Sequence, residues 1–241
     1  MPAIESEAVR LLALVRRRPW RAVVAAEARR DPERFGAITA PEGAAALSLL
    51  PQRDAARALV VGDVWGRLAV PLSRRATVIG LLPSAPLAAL LACVASQEDA
   101  PIAACAGTLA APPFADGGFD LVLLHDGIDD APETLPAAAA LLAAAGVCYA
   151  TARNRLAAGA FAASTPARSL SGLRARIADA GLVPLHEYAC FPDAARPRAI
   201  VPLPLLAAHL RRQTNGLADL ARTGIAEHLA PAFAFVLRRA R

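Results

Sequence analysis

From Ala58 onward, short apolar runs alternate with longer stretches whose apolar residues recur at helical spacing. Ala58 to Val61, Thr77 to Leu81, Phe119 to Leu124, Gly146 to Ala150, Leu182 to Tyr188 and Phe233 to Leu237 each combine branched or aromatic side chains in a run too short for a stable helix, and predict strands. Between them, Pro86 to Ser96, Leu135 to Ala145, Leu170 to Ala180 and Pro204 to Arg212 predict helices. Strands separated by helices of this length imply βαβ crossovers and a mostly parallel α/β sheet. In such a sheet a ligand binds outside the carboxyl ends of the strands.

The first part of the chain has a different pattern. Ile4, Val9, Leu11, Leu12, Leu14 and Val15 approximate one helical stripe, a second helix-compatible stretch follows Pro19 to Arg30, and Pro41-Glu42 opens a third through Leu50. Residues 1–54 are therefore expected to form an N-terminal helical segment, a lid or an interaction surface, ahead of a sheet domain over residues 55–241.

Composition narrows the class. Hydrophobic residues make up 56% of the 241, yet many are alanine, which fills helices without supplying deep apolar surface. The longest apolar stretch, Leu135 to Ala150, is broken by Pro136 and Gly146 and is too short to span a bilayer. The opening residues lack the basic and apolar regions of a signal peptide, so the expected location is cytoplasmic. Cys93, Cys105, Cys148 and Cys190 stand singly with no ligand spacing, and neither a disulfide framework nor a zinc site is expected.

The net charge is +5 and every basic residue is arginine. Without lysine there is no Schiff-base nucleophile and no Walker-type phosphate lysine. The densest basic segment, Arg16 to Arg18 with Arg21, Arg29 and Arg30, would meet an acidic partner, a membrane surface or nucleic acid, or else form a solvated helix face; the last is favoured, because few aromatics interleave it as a single-strand nucleic-acid binder would require.

Four segments follow one another in a telling order. They are ALVVGDVWGRLAVPLSRRATVIGLLPS from Ala58, PPFADGGFDLVLLHDGI from Pro112, LPAAAALLAAAGVCYATARNR from Leu135 and SLSGLRARIADAGLVPLHEY from Ser169. Together they resemble the class I SAM-dependent methyltransferases. The resemblance implies a Rossmann-like sheet of seven strands with flanking helices, and S-adenosyl-L-methionine as cofactor. It also implies where the cofactor contacts fall. The family's acid before its glycine turn corresponds to Gly62, two of its three turn glycines to Val64 and Leu68, and only Gly66 is kept. Asp63 stands one place from the acid, and Trp65 would either stack on a ligand or plug the cleft. The acid that takes the ribose hydroxyls corresponds to Leu82, and the one that meets the adenine amino group to Thr108. No carboxylate is in register at any of the three positions.

Candidate chemistry lies within and just after the second and fourth of these segments. His125 and Asp126 come directly after an apolar strand, where a general base for an O- or N-methyl acceptor would lie, or where a histidine simply bonds a loop carbonyl. His186, Tyr188, Cys190 and Asp193 with Arg196 and Arg198 would line an acceptor pocket or form a tied-down surface loop. The expected function is that of a methyltransferase-like protein with an eroded SAM pocket, non-catalytic or weakly binding, acting through a protein partner or an altered ligand in a homo- or hetero-oligomer. The alternative is an active enzyme methylating a small-molecule acceptor at O or N. Binding of a nucleotide other than SAM has the least support, because the glycine turn is too eroded for a dinucleotide fingerprint.

Overall fold

The computed structural model describes residues 2–36, 38, 41–51, 56–124, 131–154, 169–194, 197–213 and 230–240. Among these residues, eight strands form one sheet: β1 (Ala56–Val61), β2 (Ala76–Leu82), β3 (Ile102–Ala106), β4 (Phe119–Leu124), β5 (Leu142–Arg153), β6 (Leu182–Phe191), β7 (Ala199–Pro202) and β8 (Ala232–Arg239). Their order across the sheet is β3-β2-β1-β4-β5-β8-β6-β7. The pairs β3/β2, β2/β1, β1/β4 and β4/β5 are parallel, whereas β8 runs antiparallel to both β5 and β6, and β7 antiparallel to β6. The chain order reverses between β1 and β4, which is the switch point where an open α/β sheet leaves a crevice.

The central strands read as continuous apolar runs because both of their faces are covered. Along β1, Leu59 packs into a core with α6 (Thr134–Leu141), α7 (Leu170–Asp179) and α8 (Leu203–Gln213), through residues such as Leu135, Leu173 and Leu206. Ala58 and Val60 face the other way, onto Leu47 and Leu50 of a 3-10 segment (Pro41–Leu49 and its next residue) and onto Leu68 and Leu72.

The sheet has one strand more than expected, β7, and β3 also went unpredicted. Ile102-Ala-Ala-Cys-Ala is almost all alanine, so its side chains announce no strand; pairing to β2 makes it one. The predicted helix over Leu135 to Ala145 stops at Leu141, and β5 begins at once with Leu142 opposite Phe119. A bulge between Phe119 and Leu121 absorbs the extra residues, and at Gly146 a Cβ would lie 2.9 Å from the Phe119 carbonyl oxygen, so the close approach requires glycine. The segment from Pro41 forms a 3-10 rather than an α-helix.

The crossover from β1 to β2 contains a single helical turn, α4 (Ala69–Leu72), with Pro71 within it. Its place beside α5 (Ala85–Gln97) is shared by the N-terminal helices α1 (Pro2–Val15), α2 (Trp20–Ala28) and α3 (Pro32–Phe35). Leu11, Leu12, Val15, Val23 and Val24 are buried there with Leu90 and Val94 of α5. Gln97 fastens the arrangement: its Nε2 donates to the Val15 carbonyl at 2.8 Å, and its Oε1 accepts from the Trp20 N–H at 2.7 Å. Within the segment, Arg10 grips the buried Glu27 through two hydrogen bonds of 2.8 and 2.9 Å.

Candidate functional site

Parallel pairing brings the carboxyl ends of β1, β2 and β3 to one edge, and backbone bonds lace them together. The Gly62 N–H donates to the Leu81 carbonyl at 3.1 Å, and the Gly107 N–H to the Leu82 carbonyl at 2.8 Å. Gly62, Leu82 and Thr108 thus lie on successive strand ends, in the arrangement that the sequence order predicts. β4 ends at Leu124, opposite Val61. His125 and Asp126, the two candidate catalytic residues, lie outside the described residues, as does Arg196.

The turn after β1 is built around Asp63. Gly62 and Gly66 both adopt positive φ, 81° and 68°, and let the chain double back. Asp63 is 4% exposed, and its carboxylate accepts three backbone N–H bonds: Oδ1 from Arg67 at 2.9 Å, and Oδ2 from Leu68 and Ala69, each at 2.8 Å. The carboxylate that stands one place from the expected position is therefore bonded to the turn's own amides.

Trp65 points away from solvent, 9% exposed, into the N-terminal helices. Its ring stacks with Trp20 at 6.2 Å between centroids and meets Phe35 edge-on at 6.4 Å. A Cβ on Gly66 would come within 2.6 Å of Val70 Cγ2 and 3.6 Å of Leu91 Cδ1, so this turn is tight against the helices around it.

Leu82 is completely buried, packed with Ala88 and Leu91 of α5 and flanked by Val64 and Ala104. The neighbouring Gly80 has no side chain because Leu91 Cδ2 sits 2.3 Å from where its Cβ would be. At β2's carboxyl end, therefore, the side chain of residue 82 belongs to an apolar cluster, while Thr108 is exposed in a small bridge with Ala111.

One polar group here escaped the sequence reading. Ser84 is the N-cap residue of α5, yet its side chain makes no capping bond, and its Oγ is shielded from solvent without any hydrogen-bond partner. A serine ahead of Ala-Pro signals a helix start in sequence, and nothing in that signal distinguishes a bonded hydroxyl from an orphaned one.

The second candidate cluster lies elsewhere. His186 and Tyr188 line a groove of about 300 Å³ with Pro184, Leu185, Glu187, Pro202 and Pro204. Their rings are 6.1 Å apart. Burial raises the pKa of Tyr188 above the ordinary phenol value. Cys190 does not join them: it is buried, and its thiol pKa, like that of Cys148, is pushed up to about 12 by burial. Thiols held this far above neutrality are inert as nucleophiles. Glu187 is taken up by a two-pronged pair with Arg174 at 2.6 and 2.9 Å. β5 and β8 separate this groove from β4 in the sheet, so the structure does not merge it with the turn after β1. Among the described residues no group of histidine, cysteine and carboxylate side chains could hold a metal ion, and no helix is long and apolar enough to cross a membrane.

No known family profile matches the sequence, and no curated protein is similar to it. Solved structures are similar in fold. A SAM-dependent methyltransferase from Thermotoga maritima superposes with a TM-score of 0.57 at 19% identity, over 86% of this chain and 90% of that one. The CcbJ methyltransferase from Streptomyces caelestis gives 0.55 at 15%, over 83% and 94%. The [4+2]-cyclase SpnF gives 0.54 at 18%, over 78% and 75%. With the strand order and the reversal between β1 and β4, these likenesses establish that the chain has the class I SAM-dependent methyltransferase fold.

Proposed function

We propose that this chain is a methyltransferase-fold protein with an eroded SAM pocket, which binds SAM weakly or not at all and acts through a protein partner or an altered ligand. The observation that carries this reading is the burial of Leu82 among Ala88 and Leu91. A ribose at that strand end would meet hydrocarbon where its hydroxyls need acceptors. The carboxylate of Asp63 is committed to three backbone amides. Trp65 adds to the misfit by holding the turn against α2 and α3 rather than facing a ligand. These residues do not fit the cofactor.

The energetic scale supports the reading. A hydrogen bond to a charged group contributes about 1.5 to 3 kcal/mol. Absence of two such bonds moves a binder from about 1 μM to about 1 mM, allowing for partial non-additivity. Calorimetric titration with SAM and S-adenosylhomocysteine tests this directly. The expected outcome is a dissociation constant in the high micromolar range or weaker, and a low-micromolar constant would reverse the conclusion.

A second reading, an active methyltransferase of a small molecule, draws support from two observations. Gly62 and Gly66 keep the positive φ of a turn that lets backbone approach a ligand, and the orphaned Ser84 hydroxyl lies two residues beyond Leu82. The same titration separates the two readings, because the active enzyme requires tight SAM binding and methyl transfer to an acceptor.

A further inference from the structure

The turn joining α1 to α2 presents Arg16, Arg17 and Arg18, all three exposed. Among the described residues, no carboxylate lies within ion-pair distance of any of them. Four of the segment's other five arginines differ in this respect: Arg10 and Arg30 meet Glu27, Arg34 meets Glu7, and Arg21 meets Glu98. Arg74, also exposed, is close enough to Glu98 to help lower its pKa, so it borders the same corner. Residues 1–36 contain eight arginines and five carboxylates, and this segment holds most of the chain's positive excess.

The turn is also preorganised. Arg16 N–H bonds back to the Leu12 carbonyl, and Arg17 and Arg18 N–H to that of Leu14, at 3.0 to 3.1 Å. From outside, Gln97 ties down the Val15 and Arg18 carbonyls and the Trp20 N–H. Three guanidinium groups with no carboxylate partner among the described residues therefore project from a fixed backbone, and binding would order side chains alone.

The neighbourhood selects the partner. The exposed large apolar residues among those described are Val9, Leu185 and Leu205, and none belongs to this turn. A protein interface needs a buried apolar centre, and a stable hold on a bilayer needs an inserted chain or apolar face besides charge. Trp20 is buried, so no ring at this corner is free to stack on a base. The remaining attraction is that of arginine for phosphate, which its planar fork recognises well.

From this combination we propose that the Arg16–Arg18 turn, bordered by Arg74, docks the phosphodiester backbone of a nucleic acid without reading its bases. It occupies the amino-terminal edge of the sheet, where α5 ends at Gln97 before β3 begins, and so leaves the carboxyl edge free. The proposal does not depend on whether SAM binds.

Fluorescence anisotropy of the full chain with a labelled 20-nucleotide oligo-U RNA, titrated at several concentrations between 50 and 200 mM NaCl, provides the test. The expected log–log salt slope is about −2, as release from roughly three phosphates of a single strand gives. An oligo-A RNA should bind equally well. The variant R16Q/R17Q/R18Q should lose at least tenfold in affinity at 50 mM salt and most of the slope, with an unchanged Tm because Gln97 bonds to backbone atoms. Unchanged binding by that variant, salt-independent binding by the wild type, or sedimentation with phosphatidylserine vesicles while the RNA stays free would each overturn the proposal.

Discussion

At position 82 a buried leucine stands where the family resemblance implies the acid that takes the ribose hydroxyls. Leu82→Asp would place a carboxylate at the ribose-acid position, yet in the folded chain it would be surrounded by Ala88, Leu91 and Val64. A buried, unpaired charge costs several kcal/mol or forces the group to stay protonated. The expected result is a Tm lower by ten degrees or more, with no recovery on adding SAM, in a melting experiment run with and without ligand. Recovery by SAM would mean that the strand end opens, and would favour the active-enzyme reading. Sequence left open whether Leu82 lies buried or at a cleft rim, and the structure places it in the core. Nor could sequence show that Asp63 bonds its own turn: the residue's identity was legible, whereas the partners of its carboxylate depend on how the chain folds back at Gly62 and Gly66.

The N-terminal helices depend on a few polar contacts as well as on apolar packing. Glu98, just past α5, accepts the Trp20 indole N–H at 2.6 Å and the Arg21 Nε at 3.1 Å. Hydrogen bonding to Arg21 is the largest influence on Glu98 and lowers its pKa; Arg10 does the same for Glu27 inside the segment. A carboxylate with a depressed folded-state pKa contributes stability above its ordinary range and loses that contribution as pH falls through the folded value. Acidification from about pH 6 to about pH 3 should therefore loosen the docking of α1 and α2. The chain's two tryptophans, Trp20 and Trp65, stack on each other in this cluster, so intrinsic fluorescence reports on it directly. Glu98→Gln should lower stability at neutral pH and flatten the acid-induced fluorescence change; an unaltered acid profile would remove Glu98 from the docking. Gln97→Ala, which orphans the Trp20 N–H and two carbonyls, should cost about 1 to 3 kcal/mol by denaturant unfolding followed by the same fluorescence. A cost below about 0.5 kcal/mol would show that apolar packing alone holds these helices.

Across the whole molecule, the alternation of short apolar runs and helices was enough to predict a mostly parallel α/β sheet, because both faces of its inner strands are buried and their sequences are correspondingly apolar. The strands that escaped detection, β3 and β7, lie at the two edges. There, pairing on one side makes the strand, and the side chains carry little of the signal. β7 is also only four residues long and ends in proline. β8 has a consequence of a different kind, for biosynthesis. It comes later in the chain than β5, β6 and β7, yet it lies between β5 and β6. While the ribosome has completed β6 and β7 but not β8, those two strands have no partner joining them to the rest of the sheet. The β3-to-β5 half can assemble as it emerges, whereas β6 and β7 must wait with one edge unpaired until Ala232 to Arg239 arrive, and that interval is when the nascent protein most needs a chaperone.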